Sequence, residues 1–298
     1  MTTTLQPDPS VIGGVARAPF VLLPDPARLF SVRAKRFGFL APSSNLGPYL
    51  AFLGALSTVQ AGLVADLPPL APVGPARAGG MPPIDRAALA DDPALHDTLA
   101  RLCARAAELE MPDPARLALA AVAAATGDDR RWLLANVLAD TIPEDSAAPH
   151  LFAAAAVQVH LARLAATLDA ARLVPVETGV CPCCGGRPVS SLVRTVGEVE
   201  NVRYATCATC ATQWNEVRIK CLSCGSTEGI TYRSAETATA TVKAECCSKC
   251  HSWVKIFYAV QNPTLDPVAD DVGSLGLDLL MQDSPFRRAG FDPFLVGY

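Results

Sequence analysis

The sequence predicts an α+β protein: an all-helical N-terminal domain, then two tandem ribbon-like metal modules, then a C-terminal helix. Three observations carry this. Of 11 cysteines, only Cys103 precedes residue 181, and the other ten lie between Cys181 and Cys250. Eight of the ten form C-x-x-C pairs that repeat at a fixed offset. The residues before them are rich in alanine and leucine at helical spacing, whereas those among them alternate as strands do. The expected segments are 1–175 (helical domain), 176–216 and 217–262 (first and second ribbon), and 263–298 (C-terminal helix and tail).

The helical part carries its own start signals. Asp-Pro-Ala occurs at Asp25–Ala27, Asp92–Ala94 and Asp113–Ala115. Asp caps a helix N-terminus, and proline fits the first turn because its missing N–H has no partner there anyway. Behind the second signal, Leu95, Leu99, Leu102, Ala106 and Leu109 form a stripe, with Cys103 beside it as a buried, inert thiol. Gly127 and Asp128 mark a stop and a restart. Val157, Leu161, Leu164 and Leu168 form another stripe, with Gln158 and Arg163 off it. The run "SNLGPYLAFLGALSTVQAGLV" supplies one more helix, and "ADLPPLAPVGPARAGGMPP" (65–83) reads as a surface connector. A bundle of roughly six to eight helices follows. It holds no recognisable catalytic set, and His96, His150 and His160 are scattered surface or core residues.

The cysteine array is a repeat. Its pairs are Cys181/Cys184, Cys207/Cys210, Cys221/Cys224 and Cys247/Cys250, and adding 40 to the first four numbers gives the last four. A lone C-x-x-C is weak, but four in register imply two copies of one module. Each C-x-x-C turn points two sulfurs at one place, and Gly185 or Gly225 just after permits the tight backbone. Two such turns held together by strands give a tetrahedral thiolate site, suited to zinc or a single iron. Cys181, Cys184, Cys207 and Cys210 make one site, and Cys221, Cys224, Cys247 and Cys250 the other. Modules below ~40 residues bury too little surface to fold unaided, which also argues for a metal in each. Trp214 and Trp253, after the second turn of each copy, are expected to fill the small cores. Cys183 and Cys246 break the repeat, standing opposite Ser223 and Thr206, and are read as non-ligands.

Net charge is −4, without a basic arm or acidic tail. The segment 175–262 has nine Lys/Arg and seven Asp/Glu, a surplus of two, too small to favour nucleic acid. Residues 1–20 lack a basic start followed by an apolar core, so no signal peptide is expected. Runs such as "LFAAAAV" are too short to span a bilayer. A cytoplasmic chain is expected, free of membrane and nucleic acid, where clustered thiols hold metal more often than they form disulfides.

The stretches "CPCCGGRPVSSLV", "CATQWNEVRIKCLSC", "VKAECCSKCHSWVKI" and "ADDVGSLGLDLL" together resemble the FdhE family, accessory proteins of respiratory formate dehydrogenases. The likeness runs from Cys181 to the "DPFL" at Asp292–Leu295 and is fainter in the helical half, where "YLAFLGAL" matches best. The resemblance implies an α-helical domain joined to two rubredoxin-like ribbons. It also implies a non-enzymatic, cytoplasmic maturation factor that binds the catalytic subunit of formate dehydrogenase. On that likeness the eight paired cysteines would hold two irons per chain, with zinc as the alternative. A homodimer is one oligomeric option. Cys183 and Cys246 are extra relative to the family, and neither removes a ligand.

Two other functions compete. A rubredoxin-like electron carrier would use the same sites but would not need the helical body. A zinc-ribbon adaptor would bind nucleic acid, against the weak basic surplus. Asp270 and Asp271 open the expected terminal helix "VADDVGSLGLDLLM", and helix-dipole complementation is their simplest role. Holding a client's basic segment, or bracing the domain junction, is the alternative.

Overall fold

The computed structural model describes residues 17–74, 80–235 and 240–298. The absence of a signal peptide, read from residues 1–20, and the centre of the 65–83 connector lie largely or partly outside them.

Strand β1 (Val21–Leu22) precedes six helices among the described residues: α1 (Pro26–Leu40), α2 (Gly47–Asp66), α3 (Pro93–Ala106), α4 (Asp113–Ala124), α5 (Gly127–Leu138) and α6 (Ala147–Ala165). Two of the three Asp-Pro-Ala signals act as expected. Asp25 accepts from Ala27 N at 3.2 Å and Asp92 from Ala94 N at 2.7 Å, each with proline next. The third is offset: Pro112 is the cap and Asp113 sits inside the first turn, acting through charge alone. Gly127 begins α5 with Thr126 as its cap.

The alanine run has a packing purpose. Helix α6 packs against α1 to α5, and Ala153 to Ala156 are fully buried, small enough to let the surrounding helices approach closely. Gln158, read as lying off the apolar stripe, is in fact buried. Its Nε2 donates to Ala208 O at 2.9 Å, and its Oε1 accepts from Arg33 at 3.2 Å. A buried amide with both ends satisfied is stable where an unpaired one would not be. Helix α2 is long and apolar enough to cross a membrane by composition (mean hydropathy 1.4 over its most apolar window), beyond what the short apolar runs suggested.

Each ribbon contributes three strands: β2 (Pro188–Val196), β3 (Val199–Cys207) and β4 (Gln213–Glu216), then β5 (Ile230–Arg233), β6 (Val242–Cys247) and β7 (Ser252–Tyr258). The ribbons fuse into one sheet. Strand β2 pairs parallel with β7, Ser191 opposite Ile256 and Val193 opposite Tyr258, giving the order β1-β4-β3-β2-β7-β6-β5. Strand β8 (Arg287–Arg288) adds to β7. Across the join, Arg203 donates to Glu245 at 2.7 Å and to Lys220 O at 2.7 Å, both partners of the ion pair being buried.

The expected single C-terminal helix is two short ones, α7 (Ala269–Gly273) and α8 (Leu275–Gln282). The helix breaks at Ser274, whose hydroxyl donates to Asp270 O at 2.6 Å, while Lys255 donates to Asp271 O at 2.6 Å. The Asp270 carbonyl also accepts from Ser274 N at 3.0 Å, whereas at Asp271 the buried Lys255 ammonium competes for a carbonyl of the ladder. The break lies where Gly273 meets α1: a Cβ there would stand 2.9 Å from Leu40 Cδ1.

Helix-dipole complementation is not the main role of Asp270 and Asp271. Asp266 does the capping, accepting from Val268 N at 3.0 Å and Ala269 N at 2.8 Å. Asp270 is buried and holds Arg36 of α1 through two guanidinium nitrogens, at 2.6 and 2.9 Å. Asp271, fully buried, pairs with Lys255 at 3.3 Å and with Arg288. Both residues brace the junction between the helices and the sheet.

Candidate metal centres

Each of the eight predicted thiols falls into its predicted tetrad, with the sulfurs of each set within 4.8 Å of one another. In the first, Cys181–Cys210, Cys184–Cys207 and Cys184–Cys210 Sγ distances are all 3.5 Å. In the second, Cys221–Cys250 is 3.6 Å and Cys224–Cys247 is 3.8 Å. Four sulfurs ~2.3 Å from a central ion stand about 3.8 Å apart, so both tetrads fit a tetrahedral zinc or iron.

The backbone explains why. Gly185 and Gly225 have φ of +75° and +76°, which a Cβ would strain. Their amides bond back to Cys181 O and Cys221 O at 2.9 and 3.0 Å, closing each turn. The second turns also match, with Ala211 and His251 at φ +59° and +54°. Residue 212 and its counterpart 252 both bring a hydroxyl to the last thiol: Thr212 to Cys210 at 3.1 Å and Ser252 to Cys250 at 2.9 Å.

The surroundings differ. Cys181, Cys184, Cys207 and Cys210 are all buried, whereas in the second tetrad Cys224 is exposed and Cys250 half-buried. The first tetrad belongs to the same apolar cluster as the helical core. The connector before α3 lies over it: Ile84 N donates to Cys183 O at 3.0 Å. Arg86 pairs with Asp140 at 2.6 Å and reaches Gly186, where a Cβ would collide with its guanidinium. Asp140 in turn accepts from Arg187 N at 3.0 Å.

Arg86 bears on one of the thiols, Cys207. Burial alone would raise Cys207, but hydrogen bonds from Cys181, Cys184 and Cys210, with Arg86 nearby, hold it well below the ordinary thiol range. Burial raises Cys181 and Cys210. Metal binding by such a tetrad needs thiolates, so it competes with protons.

The repeat-breaking cysteines are buried in different places. Cys183 lies beside Cys181. Cys246 packs with Trp253, Leu277 and Met281, and burial raises its thiol to about 11. Neither joins a tetrad. Trp214 and Trp253 are buried, as expected of core fillers. Cys103 is buried and raised to about 11, consistent with an inert thiol. The histidines are structural: His150 is wedged between Ser146, Asn136 and Trp132, and His96 bonds Ala90 O at 2.8 Å. Sequence reasoning missed Arg86. The signal lay in the repeat, because Gly186 stands opposite Ser226 and only a glycine admits the guanidinium.

The chain matches the FdhE family in three consecutive stretches: its N-terminal region over 18–178, its central domain over 180–218 and its C-terminal domain over 219–295. It is 56% identical to a "Protein FdhE homolog" of Rhizobium meliloti over 301 aligned residues, covering 99% of this chain and 98% of that protein. It is 32% identical to "Protein FdhE" of Salmonella enteritidis, over 93% of this chain and 91% of that one. The crystal structure of the FdhE protein from Pseudomonas aeruginosa superposes with a TM-score of 0.83 at 30% identity, over 94% of this chain and 99% of that one. The chain belongs to the FdhE family.

Proposed function

We propose that the protein is a cytoplasmic, non-enzymatic factor for formate dehydrogenase maturation, which binds the catalytic subunit and holds one iron in each tetracysteine site. Its working parts are the helical body (1–175), the ribbons (176–216 and 217–262) and the C-terminal helices with their tail (263–298). The ligands are Cys181, Cys184, Cys207 and Cys210, then Cys221, Cys224, Cys247 and Cys250. The single observation that carries the reading is that both tetrads have tetrahedral-edge sulfur spacing within a chain of the FdhE family. Iron rather than zinc, the client and the compartment rest on what the family resemblance implies.

Native protein purified from its own cells should carry two metal ions per chain and the catalytic subunit. Deleting the gene should abolish respiratory formate oxidation, and normal activity in the deletion strain would refute the assignment. A second reading has one observation in its favour: exposed Cys224 gives the second site a solvent-facing side suited to one-electron exchange between ferric and ferrous iron. Reversible bleaching of a red thiolate-to-iron absorption by a partner protein would support it. A colourless, zinc-loaded native protein would sink it.

A further inference from the structure

Helix α2 poses a question that its packing does not answer. It is apolar enough by composition to cross a membrane, yet only 39% of its most apolar window is buried. The outward face of its N-terminal half forms one wall of a groove of about 1230 Å³, closed by the start of α6, the α3–α4 loop and the C-terminal tail. Phe52, Leu151 and Phe294 give it an apolar floor, and Ala51 keeps that floor open. Three exposed carboxylates, Glu108, Glu110 and Glu144, also line it, and none of the described lining residues is Lys, Arg or His.

We infer that this groove receives an amphipathic helix from a partner protein, its apolar face against α2 and its Lys or Arg side chains against the three glutamates. The volume exceeds the ~300–1,000 Å³ usual for small-ligand clefts. The walls are helices and loops with no free strand edge, which favours a helix laid in a groove over strand addition. Acidic residues at the groove would repel anionic lipid headgroups, so the chemistry selects a cationic peptide rather than a membrane. The inference deepens the proposed function by giving a client a place to dock, and it rests on the reading that there is one.

The test uses the full, metal-loaded protein and two synthetic helical peptides with the same leucine face, one with lysines on its polar face and one with glutamates. The lysine peptide should bind and weaken with salt. Replacing Glu108, Glu110 and Glu144 together by Lys should weaken it roughly tenfold or more, as three opposed charge pairs imply. Ala51→Trp, at an exposed helix position, should fill the groove and block binding while circular dichroism stays native. Equal binding of the glutamate peptide, or indifference to Ala51→Trp, would overturn the inference. So would a dimer that excludes the peptide and is lost in Ala51→Trp, because the occupant would then be a second copy. Capture of the formate dehydrogenase catalytic subunit separates the two readings. If wild type binds the peptide and Ala51→Trp blocks it, but wild type never captures the subunit, the groove stands and the client assignment falls. If both proteins capture the subunit equally, the client stands and the groove falls.

Discussion

The two ribbons are built on one backbone and live in two environments. Their cysteines, their left-handed turn residues and their hydroxyl partners coincide at an offset of 40. Their neighbours do not. In the second turn of the first ribbon Ala208 and Thr209 are buried, and the Thr209 hydroxyl lies 3.4 Å from Cys207 Sγ. Their counterparts Ser248 and Lys249 are exposed, and Lys249 pairs on the surface with Glu228. All four cysteines of the first tetrad belong to the helical core cluster, whereas none of the second tetrad's does, although Leu222 and Val254 of the second ribbon reach that cluster. Identical cysteine sets thus sit in different surroundings: the first is packed into the helical core, and the second is partly open to solvent.

The sharpest way to break this comparison is to remove one ligand from each site. Cys184→Ser should lose one metal and destabilise the helical body with it. A structural tetrathiolate is worth ~10–16 kcal/mol of apparent binding, more than a typical whole domain's stability. Cys224→Ser should also lose one metal but leave the body intact. Hydrogen exchange with metal analysis distinguishes them: protection should fall through α6 in the first variant and only within 217–262 in the second. Equal, local losses would mean that the first ribbon is as independent as the second. In the wild type, a chelator should strip the second site first.

The next largest effect concerns charge. Arg86 serves Asp140 and lies beside the first tetrad, and among the described residues no arginine or lysine is among the causes that shift the thiols of the second. Arg86→Met leaves Asp140 buried with an uncompensated charge, a change that costs about 3–5 kcal/mol. Denaturant unfolding should show that loss, with faster chelator release from the first site and unchanged release from the second. Acceleration at both sites would show that Arg86 acts on the whole sheet instead.

These two tests divide what the sequence disclosed from what it did not. Local signals were legible. The C-x-x-C turns, the caps at Asp25 and Asp92 and the stripe through Leu95, Leu99 and Leu102 each follow from a few neighbouring residues. Everything that makes the ribbons unequal is long-range. The parallel β2–β7 pairing joins residues 65 apart, and the Arg33–Asp266 and Arg36–Asp270 pairs span 233 and 234 positions. Periodicity carries no information about such partners, so Gln158 read as lying off the apolar stripe and Asp270 as complementing a helix dipole. The usable hint was where the repeat fails: Gly186 against Ser226, Ala208 and Thr209 against Ser248 and Lys249. Departures from a repeat mark the faces that meet different neighbours.

A third effect belongs to the body rather than to either ribbon. His160 is fully buried, neither ring nitrogen has a hydrogen-bond partner among the described residues, and Asp92 lies 3.7 Å away. Burial lowers its pKa to about 4. The unfolded chain, with an ordinary histidine near ~6.5, takes up the proton first as pH falls, so stability drops between those values and levels off below them. The full drop is about 3 kcal/mol. His160→Leu should flatten the difference in denaturant stability between pH 7 and pH 4.5 relative to wild type. An unchanged slope would assign the acid sensitivity to the thiolates, which lose metal in the same direction.

The smallest expected effect tests the repeat logic itself. Cys183 and Cys246 are both fully buried cysteines next to ligand cysteines in sequence, and neither belongs to a tetrad. Serine at either place keeps the volume close and trades a weakly polar thiol for a hydroxyl, a cost of about 1 kcal/mol. At position 183 the hydroxyl can still donate toward Cys181, whose neighbour it already is. At position 246 it enters an apolar cluster with Trp253, Leu277 and Met281, where the thiol's hydrogen-bond partner is Ala244 O, 3.8 Å from the sulfur. Cys246→Ser should therefore lower the melting temperature slightly more than Cys183→Ser, and both should keep two metal ions per chain. This reverses the order expected of ligands, for which the buried first site is the more sensitive. If Cys183→Ser instead released a metal as readily as Cys184→Ser, the first site would be using a thiol for which the second has no counterpart. The two ribbons would then differ in coordination as well as in surroundings.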